Sequence, residues 1–325
     1  MFLKDKNVLV AGGTGMIGMQ LVEMLIENGA SVRISSLDES YRAHPRAEFL
    51  KRDLTIYENC VEVCSDMDYV FNLLGVKASP GVTMGKPASF MYPTVMMEMN
   101  MLEAARRKKV YGYLLTSSIG VYSPAEILKE DDVHRTLPSP KDWFGGWSKR
   151  IGEIQIEAYR KEYRWDQLKI VRPANVYGPY DNFDGENAMV VPSLIKKAVL
   201  GTNPLTVWGD GRAVRDFIHS RDVAKAMIMV AEKGDYQPVN IGSGKGVSIK
   251  DLVEIIISNL DFKPIVKWEK DKPVGDSIRI MDVERLRKIG FESDINIEEG
   301  ISEVMKWYKE NKSITSKRYD VYKIA

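Results

Sequence analysis

The first half of the chain alternates short β-branched runs with longer stretches in which apolar residues recur three and four positions apart. Val8-Leu9-Val10, Val32-Arg33-Ile34, Tyr69-Val70-Phe71, Tyr113-Leu114-Leu115 and Leu168-Lys169-Ile170-Val171 read as strands, because short and mostly apolar runs suit strands covered on both faces. Helical spacing follows over 16–28, 56–65, 90–108 and 148–163. This alternation predicts an α/β fold, a doubly wound parallel (Rossmann) sheet whose ligand crevice lies at the carboxyl ends of the strands.

After Arg172-Pro173 the rhythm gives way to Gly- and Pro-rich connections, with shorter helices around 190–200, 221–232, 248–259 and 296–309. We therefore expect a dinucleotide-binding domain over 1–178, a smaller α/β substrate domain built from 179–213 and 243–312, and a polar tail over 313–325. The run Val214-Arg215-Asp216-Phe217-Ile218-His219 looks like a strand that returns to the first domain, somewhere within 214–242.

Composition narrows the class. The chain has 325 residues, 44% hydrophobic and 28% charged, which fits an ordinary globular protein. Lys and Arg total 46 against 45 for Asp and Glu, so no charge excess draws the chain to nucleic acid or to an anionic membrane. No apolar run reaches the ~18 residues of a membrane span, and Met1-Phe2-Leu3-Lys4-Asp5-Lys6 passes into a strand with no hydrophobic leader. A cytoplasmic protein is the expectation. Cys60 and Cys64 stand four apart in a helical stretch, too few ligands for a structural metal, and are read as packed thiols. Met96, Met97, Met99 and Met101 are read, with Leu102 and Ala105, as core and subunit contacts.

The strand Val8-Leu9-Val10 runs into Ala11-Gly12-Gly13-Thr14-Gly15-Met16-Ile17-Gly18 and then an amphipathic helix. Gly12 permits the tight turn, Gly15 lets a pyrophosphate approach the backbone, and Gly18 lets helix press on strand, with the helix N-terminus facing the phosphates. The candidate cofactor residues here are Gly12, Thr14, Gly15, Met16, Ile17 and Gly18. The second strand ends in Ser35-Ser36-Leu37-Asp38, with Ser36 where an acid for the ribose usually falls and with Arg33 and Arg42 nearby. Those cations tilt the choice of cofactor from NAD toward NADP. Asp53-Leu54 matches the segment that brackets the adenine in related folds.

By Leu115-Thr116-Ser117-Ser118-Ile119-Gly120-Val121-Tyr122 the chain resembles the extended short-chain dehydrogenase/reductase superfamily, of the NAD-dependent epimerase/dehydratase type, which acts on nucleotide sugars. The resemblance extends to about residue 310 through Trp147-Ser148-Lys149, Arg172-Pro173-Ala174-Asn175-Val176-Tyr177-Gly178-Pro179, Trp208-Gly209-Asp210-Gly211, Arg215-Asp216-Phe217-Ile218-His219, Val239-Asn240-Ile241-Gly242 and Lys272-Pro273-Val274-Gly275-Asp276. Within it, Pro179-Tyr180-Asp181-Asn182-Phe183 is most similar to the GDP-fucose synthase pattern, with GDP-mannose 3,5-epimerase next. The resemblance implies that Ser118 hydrogen-bonds the reacting sugar hydroxyl and that Lys149 binds the nicotinamide ribose. It also implies that Pro173 and Val176 line the cofactor site and that the helices 90–108 and 148–163 pair in a homodimer.

The pattern then departs from the family. The usual base is a tyrosine four residues before the lysine, and Gly145 stands there. Three substitutes are open: Tyr122 or Tyr92 reaching the gap, a water held by Lys149 and Ser118, or the substrate's own hydroxyls. Dehydratases of this type carry an Asp-Glu pair where this chain has Ile119-Gly120, which disfavours elimination. The GDP-fucose synthase type places a Cys at the second of those positions and a His before the VIP-like segment, where Gly120 and Met189 stand here.

On the substrate side the resemblance implies Arg215 as a diphosphate ligand, Asn175 beside it, Val191, Lys196 and Trp208 along the nucleotide pocket, and Asp276 closing it. His219 is read as structural. These residues point to an NAD(P)-dependent nucleotide-sugar epimerase acting through a transient keto sugar, with a GDP-sugar favoured. The alternatives are a net dehydrogenase or 4-keto reductase, and a dinucleotide-binding protein that has lost catalysis.

Overall fold

The computed structural model describes residues 2–76, 80–184, 188–272, 274–312, 318, 319 and 322. Pro273 and, in the expected tail, 313–317, 320–321 and 323–325 lie outside them. In chain order the elements begin β1 (Asn7–Ala11), α1 (Met16–Glu27), β2 (Ser31–Ser36), β3 (Glu48–Lys51), α2 (Tyr57–Val63), β4 (Tyr69–Asn72), α3 (Pro80–Gly85), α4 (Pro87–Arg107), β5 (Gly112–Thr116) and β6 (Ile127–Leu128). They continue α5 (Trp143–Tyr163), β7 (Leu168–Pro173), β8 (Asn175–Tyr177), α6 (Val190–Val199), β9 (Leu205–Trp208), β10 (Val214–His219) and α7 (Ser220–Lys233). The last are β11 (Val239–Ile241), β12 (Gly246–Ser248), α8 (Ile249–Ser258), β13 (Val266–Glu269), β14 (Ile278–Met281), α9 (Glu284–Lys288) and α10 (Ile297–Glu310).

Seven strands form one sheet in the order β11-β7-β5-β4-β1-β2-β3, and every pairing in it is parallel. The five strands predicted from apolar runs are its centre. Val8, Leu9, Val10, Val70, Phe71, Leu114 and Val171 have no exposed surface, as strands sandwiched between helix layers require. Chain order reverses between β1 and β4, so the crevice of a doubly wound sheet opens above their carboxyl ends. The glycine turn leaves β1 at that point.

A second sheet, β12-β10-β14-β6 with β8 joined to β10, packs beside the first, and β9 pairs with β13. The run 214–219 thus does not return to the first sheet. As β10 it is paired with β8, β12 and β14, and its Phe217 is packed in a second core with Leu194, Ile195, Leu252 and Ile301. The elements that return are α7, which packs on α1, and β11, which adds to β7 at the edge of the large sheet. Helix α5 starts at Trp143, earlier than the spacing predicted, and carries Gly145 and Lys149 on one continuous helix. Ser248 and Asn296 cap α8 and α10 by accepting the N–H of Asp251 and Glu299.

Candidate active site

The glycine turn has the shape that a pyrophosphate needs. Gly12 has φ +82°, and a Cβ on Gly18 would lie 2.6 Å from the Gly12 carbonyl oxygen, so any side chain there would push helix from strand. Gly15 is the N-cap of α1 and no side chain caps it. The first N–H groups of α1, from Met16, Ile17 and Gly18, are therefore left for an anion at the positive end of the helix. These residues fit a dinucleotide.

At the end of β2 the structure replaces one expected residue by another. Asp38, buried, accepts a 2.7 Å hydrogen bond from the Thr14 hydroxyl, and Ser36 Oγ lies 2.8 Å from that hydroxyl and accepts from the Asp38 N–H. Asp38 is thus the acid of this strand end and Ser36 its support. Arg33 is not at the site: it is held by Glu48 and by the carbonyls of Val63 and Ser65. Arg42 stays, 3.7 Å from Asp38. A third group arrives from the tail, where Arg318 donates to the Thr14 carbonyl at 3.2 Å and the Tyr319 N–H donates to Asp38 at 2.8 Å. Asp53 binds the Thr55 N–H and hydroxyl and Leu54 is packed in the core, so Leu54 offers the site only backbone. Pro173 closes β7 and Val176 sits half-buried on β8.

Ser118 follows β5, half-buried, and its hydroxyl accepts the Gly120 N–H at 3.1 Å. Lys149 lies at the same edge, but its ammonium is committed to Glu98 at 2.6 Å, the Leu74 carbonyl at 2.8 Å and the Thr116 carbonyl at 3.0 Å. Three N–H bonds are thereby used within the protein, and none is directed at a ribose. Burial pushes the Glu98 carboxyl up to about 7 against the pull of Lys149.

Tyr122 cannot serve as the missing base. Its side chain is buried, its hydroxyl donates to Asn240 at 2.5 Å and accepts from Arg172 at 3.1 Å, and burial holds its proton well above the ordinary tyrosine range. It belongs to a buried network in which Arg172 pairs with Glu153 through bonds of 2.7 and 2.9 Å and Glu153 also receives the Ser117 hydroxyl. Tyr92 points to solvent. The space over Gly145 is taken by Asp142: a Cβ at Gly145 would lie 2.5 Å from Asp142 Oδ1.

The substrate-side residues divide into two groups. Arg215 on β10 stands in register with Arg279 on β14, and Arg279 donates to the Ile119 carbonyl at 2.6 Å, next to Ser118. Asp210 and Asp216 are not partners of Arg215. The first is bound by Arg212 and the second by Ser243, Gly244 and Met281. Among the described residues Arg215 makes hydrogen bonds only to the carbonyls of Val214 and Ser277, and burial beside Arg279 pushes its guanidinium down to about 10. Asp276 receives Ser139 and lies 3.8 Å from Arg279. Asn175 spends its amide on the Asp216 carbonyl at 3.0 Å, fixing β8 to β10. Val191, Lys196 and Trp208 lie farther into the second lobe. Val191 is in its core, which corrects its assignment as a pocket side chain; Lys196 is paired with Asp184; and Trp208 is exposed, with the Lys272 ammonium 5.8 Å over its ring. His219 caps α7. Arg279, Glu98 and Asp142 border Ser118 or Lys149 in the structure, and no motif in the sequence singles them out.

Comparison with known proteins gives the family. The NAD dependent epimerase/dehydratase family model matches residues 8–242. The chain belongs to that family. It is 28% identical to GDP-L-fucose synthase 1 of Arabidopsis thaliana, over 95% of this chain and 94% of that protein. It is 31% identical to a putative UDP-glucose 4-epimerase of Methanocaldococcus jannaschii, over 94% and 99%. Among solved structures it superposes on a UDP-glucose 4-epimerase of Thermotoga maritima, determined with UDP-glucose, with a TM-score of 0.82 and 27% identity, covering 94% of this chain and 99% of that one.

Proposed function

We propose that this chain is an NAD(P)-dependent nucleotide-sugar epimerase that works through a transient keto sugar, as a homodimer, with a GDP-sugar as the favoured substrate. The observation that carries the reading is the pairing of Arg215 with Arg279 across β10 and β14, tied through the Ile119 carbonyl to the Ser118 segment. Two neighbouring guanidinia suit a dianionic diphosphate, and the link of Arg279 to the Ile119 carbonyl supports a substrate that reaches Ser118. The similarity to named GDP-L-fucose synthases and to a putative UDP-glucose 4-epimerase supports the nucleotide-sugar class. When bound, the nicotinamide supplies a hydride acceptor and donor at the sugar carbon. The protein's share is to hold the cofactor by the turn at 12–18, to orient the sugar hydroxyl with Ser118 and to anchor the diphosphate with the two arginines.

Proton NMR tests this, with NAD or NADP and a panel of GDP- and UDP-sugars in deuterated water while nicotinamide absorbance is followed. An inverted sugar without net NAD(P)H change supports the epimerase. Stoichiometric oxidation or reduction moves the reading to a dehydrogenase or 4-keto reductase, and bound cofactor with every sugar unchanged moves it to a binding protein.

A further inference from the structure

Oxidation of a sugar carbinol needs an acceptor for the hydroxyl proton, and the described residues around Ser118 narrow the choice. Tyr122 faces the core. Lys149 is cationic and already triply bonded, and Glu98 behind it has lost nearly all contact with solvent. Of the two carboxylates at this edge, Asp276 is engaged by Ser139 and lies 3.8 Å from Arg279, whereas Asp142, the residue before α5, borders Ser118 across the volume over Gly120.

Two absent side chains make room for it. A Cβ at Gly120 would lie 2.6 Å from Asp142 Oδ2 and 3.4 Å from Ser118 Oγ, and a Cβ at Gly145 would lie 2.5 Å from Asp142 Oδ1. The carboxylate therefore occupies the volume that residues 120 and 145 would otherwise fill, and any larger residue at either position would evict it. A hydroxyl placed between Asp142 and Ser118 can hydrogen-bond to both. Among the described residues no hydrogen bond engages the Asp142 carboxylate, although the residue is only partly open to solvent. An acceptor in that state keeps its lone pairs for a ligand.

We propose that Asp142 is the catalytic base of this site, taking the role that the residue at Gly145 cannot perform; this rests on the epimerase reading given above. As the sugar carbon loses its hydride to the nicotinamide, the O–H bond breaks, its proton passes to the Asp142 carboxylate and its electron pair closes the carbonyl. The carbon is oxidised and the nicotinamide reduced. On return, the carboxylic acid gives the proton back to the alkoxide oxygen as hydride is restored, and no other reactant is required.

The electrostatics suit a base that cycles near neutrality. Burial pushes the carboxyl up to about 6, Arg279 pulls it down and Asp276 adds to the rise. Among the described residues these two charged groups, both from the second lobe, act on it, so diphosphate binding at Arg279 would weaken that pull and raise the proton affinity of Asp142 as substrate arrives.

The experiment uses the full chain and the sugar that turns over in the NMR panel. Asp142→Asn should leave cofactor affinity, read by quenching of protein fluorescence, unchanged. It should slow single-turnover nicotinamide reduction by at least about 100-fold, and Asp142→Glu should regain part of the loss. The wild-type rate should rise with pH through an inflection near 6 that is missing from Asp142→Asn, and carbon NMR of labelled aspartate should show a carboxyl titrating there that the variant lacks. An Asp142→Asn enzyme within a few-fold of wild type, with the same pH profile, overturns the assignment and leaves the epimerase reading standing. So does a carboxyl titration with no aspartate displaced from the ordinary range, which needs no variant to fold. A wild-type chain that converts no sugar overturns the epimerase reading, and the base falls with it.

Discussion

Arg279 lies next to Arg215 only because β14 pairs with β10, and the energetic weight of the pair is open to measurement. Charge-assisted hydrogen bonds contribute about 1.5–3 kcal/mol each, so Arg279→Ala should weaken GDP or UDP binding roughly 10- to 100-fold by titration calorimetry, with cofactor affinity kept. Arg215, which follows the Trp208-Gly209-Asp210-Gly211 turn, was singled out by the family resemblance. Arg279 was not, because nothing in the local sequence Ser277-Ile278-Arg279-Ile280 says which strand it will join. Asp142 stands one residue before the aromatic pair that opens α5, and what marks it is the pair of glycines at 120 and 145, which meet only in space. Glu98 gives a second test. Its folded carboxyl stands at about 7, above its ordinary 4.5, so whatever the protonated form contributes is complete below the ordinary value and is lost as pH rises through 7. Glu98→Gln should therefore gain stability relative to wild type between about pH 5 and pH 8, read from urea midpoints.

At the scale of elements, legibility followed burial and length. The five central strands declared themselves because burial on both faces demands unbroken apolar runs. β3, β6, β8, β12 and β14 went unseen: runs of two to four residues are too short for a period to show, and their pairing partners lie far along the chain. The same limit explains β10, whose apolar run was recognised as a strand but whose sheet was decided by neighbours. The turn between β1 and α1 is the most constrained joint. Gly18→Ala would bring a methyl against backbone, 2.6 Å from both the Gly12 carbonyl oxygen and the Gly13 Cα, where neither can yield as a side-chain tip would. We expect a loss of about 1–3 kcal/mol in urea unfolding, together with weaker cofactor binding, whereas Gly85→Ala, which meets nothing within 4 Å, should be near neutral.

On the scale of the whole molecule, no helix among the described residues is long and apolar enough to cross a membrane. α4 and α5 pack side by side and turn Tyr92, Met99, Ile154 and Tyr163 to solvent, the face that the proposed homodimer would cover. Ile154, 56% exposed, should tolerate Asp in the monomer, so Ile154→Asp should convert a dimer to monomer by light scattering with the circular dichroism spectrum unchanged. The end of the chain meets its beginning: Arg318 is bound to the Thr14 carbonyl and Tyr319 to Asp38, over the turn that a dinucleotide would occupy. Trypsin cuts after arginine only when the bond can enter its cleft, and the hydrogen bond of Arg318 to the Thr14 carbonyl holds that bond against the turn. A dinucleotide that takes over Thr14 and Asp38 must displace that contact, so digestion in the presence of NAD or NADP should release the peptide beginning at Tyr319 faster than digestion without it, and mass spectrometry of the digest would time the exchange.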